Sequence, residues 1–169
     1  MKLLELLVEI DKENLSDYIW RWLNTGQRSV TTRVPHSFLS ALPKLGYKGY
    51  GTIYRSITID KEHFKIHVPT NYWRKFIWEN YKGTYSSFTN TIEGAEWFAK
   101  AMSQTGDKLH LIIKQNSEFL NIYQYFMDNK EYYEQFNEFD EIYGEIDITK
   151  ECVATLKPNF EIVKVISVA

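Results

Sequence analysis

The sequence predicts an α+β fold, with helices first and strands at the end. Residues 3–10 and 15–23 carry apolar side chains at helical spacing, whereas residues 52–59 alternate as a half-buried strand does. After residue 142 the chain reads as short strands. Because helices and strands are segregated along the chain, this order favours α+β over a repeated βαβ arrangement.

Composition limits the size of the fold and the kind of partner. The 169 residues fit one domain, 1–169, with a helical N-terminal part over 1–42 and a core over 43–169. An aromatic content of 16 % supplies large side chains for that core, and a net charge of −2 gives no general attraction for a polyanion. The single cysteine, Cys152, excludes an intramolecular disulfide and a cysteine-based metal cluster.

The start of the chain predicts neither a signal peptide nor a membrane span. Glu5 and Glu9 interrupt its apolar run, and both kinds of segment avoid such acids. We therefore expect a cytoplasmic protein, or one that reaches a host cell by an export route that the sequence does not show, and no membrane partner.

The remaining elements follow from periodicity and from breaking residues. The second helix ends near Gly26, and a third follows Pro35 and stops at Pro43. Asn90 is the predicted N-cap of a helix over 91–102, with Glu93 as its capping-box partner. Further helices and strands are predicted over 66–68 (strand), 71–81 (helix), 85–89 and 109–114 (strands), 121–139 (helix plus loop), 142–148, 152–156 and 160–168 (strands).

Arg55 is the most informative single residue. The alternation of its strand places it on one face with Ile53, Ile57 and Ile59. A guanidinium in apolar surroundings stays charged and requires an anion or several acceptors. A diphosphate is a good partner, because the planar fork binds its oxygens in pairs. An ion pair with one of the acids, or an edge position open to water, is the alternative.

Two further segments carry polar groups in positions suited to a sugar. Ser86, Ser87 and Thr89 bring hydroxyls to a strand end, where they could orient a ribose or a carboxylate, or only cap the next helix. Glu151 opens an apolar strand, where a carboxylate could stabilise an oxocarbenium-like sugar, or simply lie at the surface.

No metal site is expected. The four histidines have no metal-ligand spacing except His63 and His67, which fall in a predicted strand or loop and not in an HExxH helix. Walker, GxGxxG and nucleophile-elbow motifs are absent from the sequence.

Taken together, the segments resemble the mono-ADP-ribosyltransferases of the Arg–Ser–Glu class, a family found in bacterial exoenzyme toxins and phage-encoded modifiers. Leu42–Ser56 resembles the family's first motif, an aromatic–Arg strand after a leucine-proline and glycine lead-in. Tyr85–Ala99 resembles its Ser-x-Thr/Ser strand with the following helix, and Glu151–Ile162 resembles its catalytic-glutamate strand. The resemblance extends over residues 42–168.

The resemblance implies an ADP-ribosyltransferase-like fold, with two packed, mostly antiparallel sheets around an NAD cleft, and a role for each site residue. Arg55 would bind the NAD phosphates, and the backbone of Ser56 would hold the nicotinamide amide. Ser87, assisted by Thr89, would position Glu151. Glu151 would be the catalytic glutamate, contacting the ribose 2′-hydroxyl and favouring the loss of nicotinamide.

Two departures from the family pattern concern the acceptor and the acid. Many relatives have Glu or Gln two residues before the catalytic glutamate, where this chain has Thr149. An arginine acceptor is therefore less secure, and another protein side chain or a nucleic-acid base stays open. The long interval between Ser87 and Glu151 leaves Glu141 or Glu145 as alternative catalytic acids, and its acidic-aromatic part as a target-recognition loop.

The sequence thus predicts an enzyme that uses NAD as co-substrate, transfers ADP-ribose to a macromolecular acceptor and releases nicotinamide. A protein acceptor is favoured over a nucleic acid. The alternatives are an NAD glycohydrolase with the same site, and a non-catalytic binding or inhibitor module. If the side chains of Arg55 and Glu151 point into different parts of the fold, the non-catalytic module is favoured.

Overall fold

Five antiparallel strands organise the part of the chain that the computed structural model describes, namely residues 15–24, 40–60, 70–101 and 108–167. In chain order the elements are α1 (15–24), α2 (Ala41–Lys44), β1 (Lys48–Asp60), α3 (Thr70–Tyr81), β2 (Tyr85–Thr89), α4 (Ile92–Ala101), β3 (Lys108–Leu120), α5 (Ile122–Asp128), α6 (Lys130–Tyr133), α7 (Phe139–Thr149), β4 (Glu151–Thr155) and β5 (Glu161–Ser167). The predicted α+β class is confirmed. The predicted helix over 3–10 and strand over 66–68 lie outside the described residues.

The strands form two ribbons that join at two narrow points. The long ribbon pairs β1 with β3, from Lys48↔Leu120 to Asp60↔Lys108. The short ribbon pairs β2 with β4, from Tyr85↔Thr155 to Thr89↔Glu151. Tyr54↔Thr89 joins β1 to β2, and Leu120↔Val153 joins β3 to β4, while β5 extends the sheet beyond β3. The described strands therefore make one bent sheet, and the predicted pair of separate sheets is replaced by two ribbons of that sheet.

Two apolar cores lie on opposite sides of the short ribbon. The helical core packs α1, α5, α6 and α7 against the Val153 side of β4. The strand core packs α3 and the long ribbon against the Cys152 and Ala154 side. Because side chains alternate along a strand, Glu151 and Val153 share the first side.

Several predicted elements are confirmed, and β1 and β3 extend beyond their predicted limits. The predicted strand over 142–148 is wrong, because these residues belong to α7. Ile142, Ile146 and Thr149 are buried at intervals of four and three residues, which is helical spacing, and Asp140 and Glu141 occupy the first turn, where the helix dipole favours acids.

Two predicted helix limits also change. Pro43 lies inside α2, in the first turn, where a missing N–H loses no hydrogen bond. Thr91, one residue after the predicted Asn90, caps α4, since its hydroxyl oxygen accepts from the Gly94 N–H at 3.1 Å. Among the described helices, none combines the length and the apolar character needed to cross a bilayer.

Candidate functional site

The three predicted segments meet where the two ribbons join. Thr89 lies opposite Tyr54 on β1 and opposite Glu151 on β4. Arg55 directly follows Tyr54, and Ser87 lies two residues before Thr89. Strand pairing therefore brings together residues that are 32 and 64 positions apart in the chain.

Ser87 and Glu151 form a buried hydrogen bond. The Ser87 hydroxyl donates to Glu151 Oε1 at 2.6 Å, within the range of charge-assisted O–H···O bonds. Glu151 is 0 % exposed and Ser87 3 % exposed. The serine thus fixes the orientation of the carboxylate.

Arg55 reaches the same serine through its backbone. Its Nη1 donates to the Ser87 carbonyl oxygen at 3.1 Å, and its guanidinium carbon lies 5.3 Å from the Tyr81 ring centre and 5.9 Å from that of Phe88. Burial lowers the pKa of Arg55 to about 10, so the group stays charged at neutral pH. The predicted face shared with Ile53, Ile57 and Ile59 is confirmed, since all three are buried.

Arg55 and Glu151 occupy opposite sides of the short ribbon. Arg55 lies on the side of the strand core, beside Phe88, whereas Glu151 shares the helical-core side with Val153. Ser87 connects the two, with its carbonyl bound to the arginine and its hydroxyl to the glutamate. The charged groups are therefore linked through one residue.

Trp22 of α1 covers the glutamate. Its Nε1–H donates to Glu151 Oε1 at 3.1 Å, and the Trp22 residue is 3 % exposed. The sequence placed Trp22 on the buried face of a helix but gave it no role at the site. A buried indole N–H requires an acceptor, and that requirement is the signal that could have linked it to a buried acid.

The two other predicted site residues have different surroundings. Thr89 is buried and its hydroxyl donates to the Thr91 carbonyl at 2.7 Å, which ties β2 to the start of α4. Ser56 lies on the face of β1 opposite Arg55, and its buried hydroxyl has no hydrogen-bond partner among the described residues. Neither hydroxyl is positioned by a contact with Glu151.

Glu141 and Glu145, the alternative acids, lie on α7, and Glu141 is exposed. The carboxylate that accepts from Ser87 and Trp22 is that of Glu151. Thr149 is the last residue of α7, and its buried hydroxyl has no partner within the described ranges.

The entry to β4 is tightly constrained. Lys150 adopts a left-handed conformation, φ 48°, and its N–H donates to the Ile146 carbonyl at 2.8 Å. Helix α4 packs closely against the end of α7 at this point: a Cβ at Gly94 would lie only 2.9 Å from the Thr149 carbonyl oxygen. Both features fix where Glu151 begins its strand.

A cavity of about 550 Å³ lies between the ribbons, toward the Tyr85–Thr155 end of the short one, and none of the predicted site residues lines it. Its walls include Lys48, Tyr50 and Phe119 from the long ribbon and Tyr85 and Val153 from the short one. Val153 is the register partner of Ser87, so the cavity begins about one strand spacing, ~5 Å, from the Ser87 backbone. Lys157 adds a second cation to its lining.

No family model, curated protein or solved structure matches the chain significantly. Within the described ranges, no three His, Cys, Asp or Glu side chains come together in the manner of a metal site. His63 and His67 lie outside those ranges.

Proposed function

We propose that the protein is an NAD-dependent ADP-ribosyltransferase, with its NAD cleft between the two ribbons. The observation that carries the proposal is the hydrogen bond from the Ser87 hydroxyl to the Glu151 carboxylate, with Arg55 bound to the carbonyl of the same serine. The arrangement supplies an oriented carboxylate and a fixed cation within one junction of strands.

The proposed reaction breaks the bond between nicotinamide and the ribose anomeric carbon. Positive charge grows on the sugar as nicotinamide leaves with the bonding electrons, and a carboxylate in a buried site stabilises that charge. Glu151 would contact the ribose 2′-hydroxyl, and Ser87 would hold it there. A nucleophile of the acceptor then attacks the anomeric carbon and loses its proton to solvent.

The cavity supports a position for the rest of the dinucleotide. Lys48 and Lys157 bring two cations to its lining against one acid, Glu118, and phosphates are favoured near ammonium groups. Tyr50, 69 % exposed, offers an aromatic face at the same place. Arg55 lies on the other side of the short ribbon, so its role in the proposal is to hold the Ser87 backbone, while the backbone of Ser56 would hold the nicotinamide amide.

The direct test uses NAD labelled in the adenylate phosphate, together with an extract that contains acceptors. We expect labelled macromolecules and released nicotinamide. Glu151→Gln should lower the rate by orders of magnitude while leaving NAD binding in place, because it removes charge stabilisation that matters mainly in the transition state. Glu141→Gln, on the exposed face of α7, is the matched control and should retain full activity.

The outcomes separate the related functions. Nicotinamide release without any labelled acceptor would identify an NAD glycohydrolase. If NAD binds but neither nicotinamide release nor labelling occurs in the unsubstituted protein, the enzymatic proposal is wrong.

Burial supports a second candidate, a non-catalytic binding module. Glu151 is fully buried, and Arg55 lies in a different core on the other side of the short ribbon, a separation that favours a non-catalytic module over an enzyme. The same network could serve only to hold the ribbons together. This alternative predicts that Glu151→Gln lowers the melting temperature. It also predicts that neither the variants nor the unsubstituted protein releases nicotinamide from NAD.

A further inference from the structure

We propose that Trp22 is a gate over Glu151, which a substrate must displace to reach the carboxylate. The inference rests on the proposed function for the identity of that substrate. Glu151 is 0 % exposed, and the indole N–H of Trp22 already occupies its Oε1. A ribose hydroxyl that binds this oxygen has to replace the indole.

The rest of α1 is anchored independently of this contact. The Tyr133 hydroxyl donates to the Ser16 carbonyl at 3.1 Å, and the Ser16 hydroxyl bonds to that of Tyr125. Trp20 stacks on Phe136 with ring centres 4.6 Å apart. These contacts hold the helix on the helical core, so the gate opens by movement of the Trp22 side chain and not by departure of α1.

The free energy of opening the gate includes the bond that breaks and the packing that Trp22 loses, because its ring is buried in the helical core. Exchange of the indole donor for a ribose hydroxyl keeps two hydrogen bonds on Oε1, the one from Ser87 and the new one, which makes displacement by a substrate feasible. Without a substrate, the open state loses that bond. A hydrogen bond to a charged group changes such an equilibrium by about tenfold or more.

The ligand that opens the gate belongs to a definite chemical class. It has to present a hydroxyl to Glu151 and a flat ring to the space that the indole vacates. The nicotinamide riboside half of NAD has both groups.

The test compares Trp22→Phe with Trp20→Phe, which alters the same helix without touching Glu151. The first measurement needs no NAD: carbodiimide and an amine nucleophile label accessible carboxyls, and mass spectrometry gives the rate at Glu151. We expect labelling about tenfold faster in Trp22→Phe, because its ring has no N–H donor. In Trp20→Phe the rate should equal that of the unsubstituted protein.

The second measurement is nicotinamide release from NAD, whose kcat/KM should rise in Trp22→Phe by a similar factor. If Glu151 is labelled faster in Trp22→Phe but neither the variants nor the unsubstituted protein releases nicotinamide, the gate is supported and the proposed function is wrong. If Trp22→Phe releases nicotinamide but its Glu151 is labelled no faster than in the unsubstituted protein, the gate is wrong and the proposed function is unaffected.

A measurement on the unsubstituted protein covers the case in which Trp22→Phe does not fold. The indole N–H resonances of the 5 tryptophans are observed by NMR as NAD is added. The Trp22 signal should shift more than that of Trp20. Equal shifts at saturating NAD would contradict the gate.

Discussion

At the scale of residues, Ser87 joins groups that lie on two sides of a strand ribbon. Its carbonyl accepts from Arg55 and its hydroxyl donates to Glu151. A strand residue presents its side chain to one face while its backbone groups lie in the plane of the sheet. That difference lets one small residue contact a cation in one core and an acid in the other.

Replacing Ser87 with Ala should therefore be costly. Glu151 would lose a donor while remaining buried, and an unsatisfied buried acceptor costs about 1–3 kcal/mol. We expect urea denaturation to show that loss, and nicotinamide release to fall at least tenfold. Ser86→Ala, on the adjacent and opposite-facing position, is the control. Equal effects of the two substitutions would contradict the role assigned to Ser87.

At the scale of elements, the approach of α4 to the start of β4 decides where Glu151 lies. Gly94 makes the approach possible, since a Cβ there would also lie 3.0 Å from the Thr89 Cβ. The two short contacts are with the Thr149 backbone and with the Thr89 side chain, next to Glu151. The helix therefore presses on Thr89 and Thr149, the residues on either side of Glu151 in space.

Gly94→Ala should destabilise the protein although alanine is the better helix former. Forcing apart a packed contact costs about 1–3 kcal/mol, which exceeds the gain of about 1 kcal/mol in helix propensity. Gly144→Ala is the matched control, because a Cβ at Gly144 in α7 would meet nothing within 4 Å. Thermal denaturation should show opposite signs for the two substitutions. A stabilising Gly94→Ala would show that α4 shifts freely away from β4.

At the scale of the whole molecule, tyrosines buried in the helical core or packed against it make the free energy of unfolding depend on pH in the alkaline range. Burial raises the pKa of Tyr18 and of Tyr47 to about 12, with the Asp128 hydrogen bond as a second cause at Tyr47. Burial also raises the pKa of Tyr125 and Tyr133. Because the protonated phenols are favoured in the folded state, their stabilisation is complete below pH 10 and is lost as the pH approaches 12.

Burial also raises the pKa of the Cys152 thiol above its usual value of 9.0, so stability should stay level up to about pH 9 and fall steeply above pH 10. The lowered pKa of Arg55 acts in the opposite direction, since the folded chain releases that proton first, but it is one group against five. Urea midpoints between pH 8 and pH 11 would measure the slope. Tyr47→Phe removes one titrating phenol and should make the slope shallower. A midpoint that is flat through this range would contradict the assignment.

Local patterns in the sequence predicted much of this arrangement. The alternation around Arg55 located its strand and its apolar face, and the hydroxyl-rich run around Ser87 located β2. The spacing of Ile142, Ile146 and Ile148 fits a strand as well as a helix, so periodicity alone did not identify α7. Burial of Thr149 on the same face as Ile142 and Ile146 is a tertiary fact that only the fold provides.

The contact between Trp22 and Glu151 was beyond sequence reasoning for a different reason. The two residues are 129 positions apart, and no local pattern relates them. Their meeting depends on the helical core, which brings α1 onto the Val153 side of the short ribbon. The two-point junction of the ribbons likewise depends on pairings between distant strands.

The alternation of β4 restricts how the chain can vary in length. Glu151 and Cys152 project to opposite sides of the short ribbon, so deletion of Lys150 would bring Cys152 to the position of Glu151, whereas insertion of one residue there would bring Glu151 to the position of Cys152. In the first case a thiol would lie beneath Trp22, and in the second a carboxylate would enter the apolar surroundings of Phe88 and Ile113. Insertions and deletions are therefore excluded between Thr149 and Thr155, and homologous chains that share this site should differ in length only elsewhere.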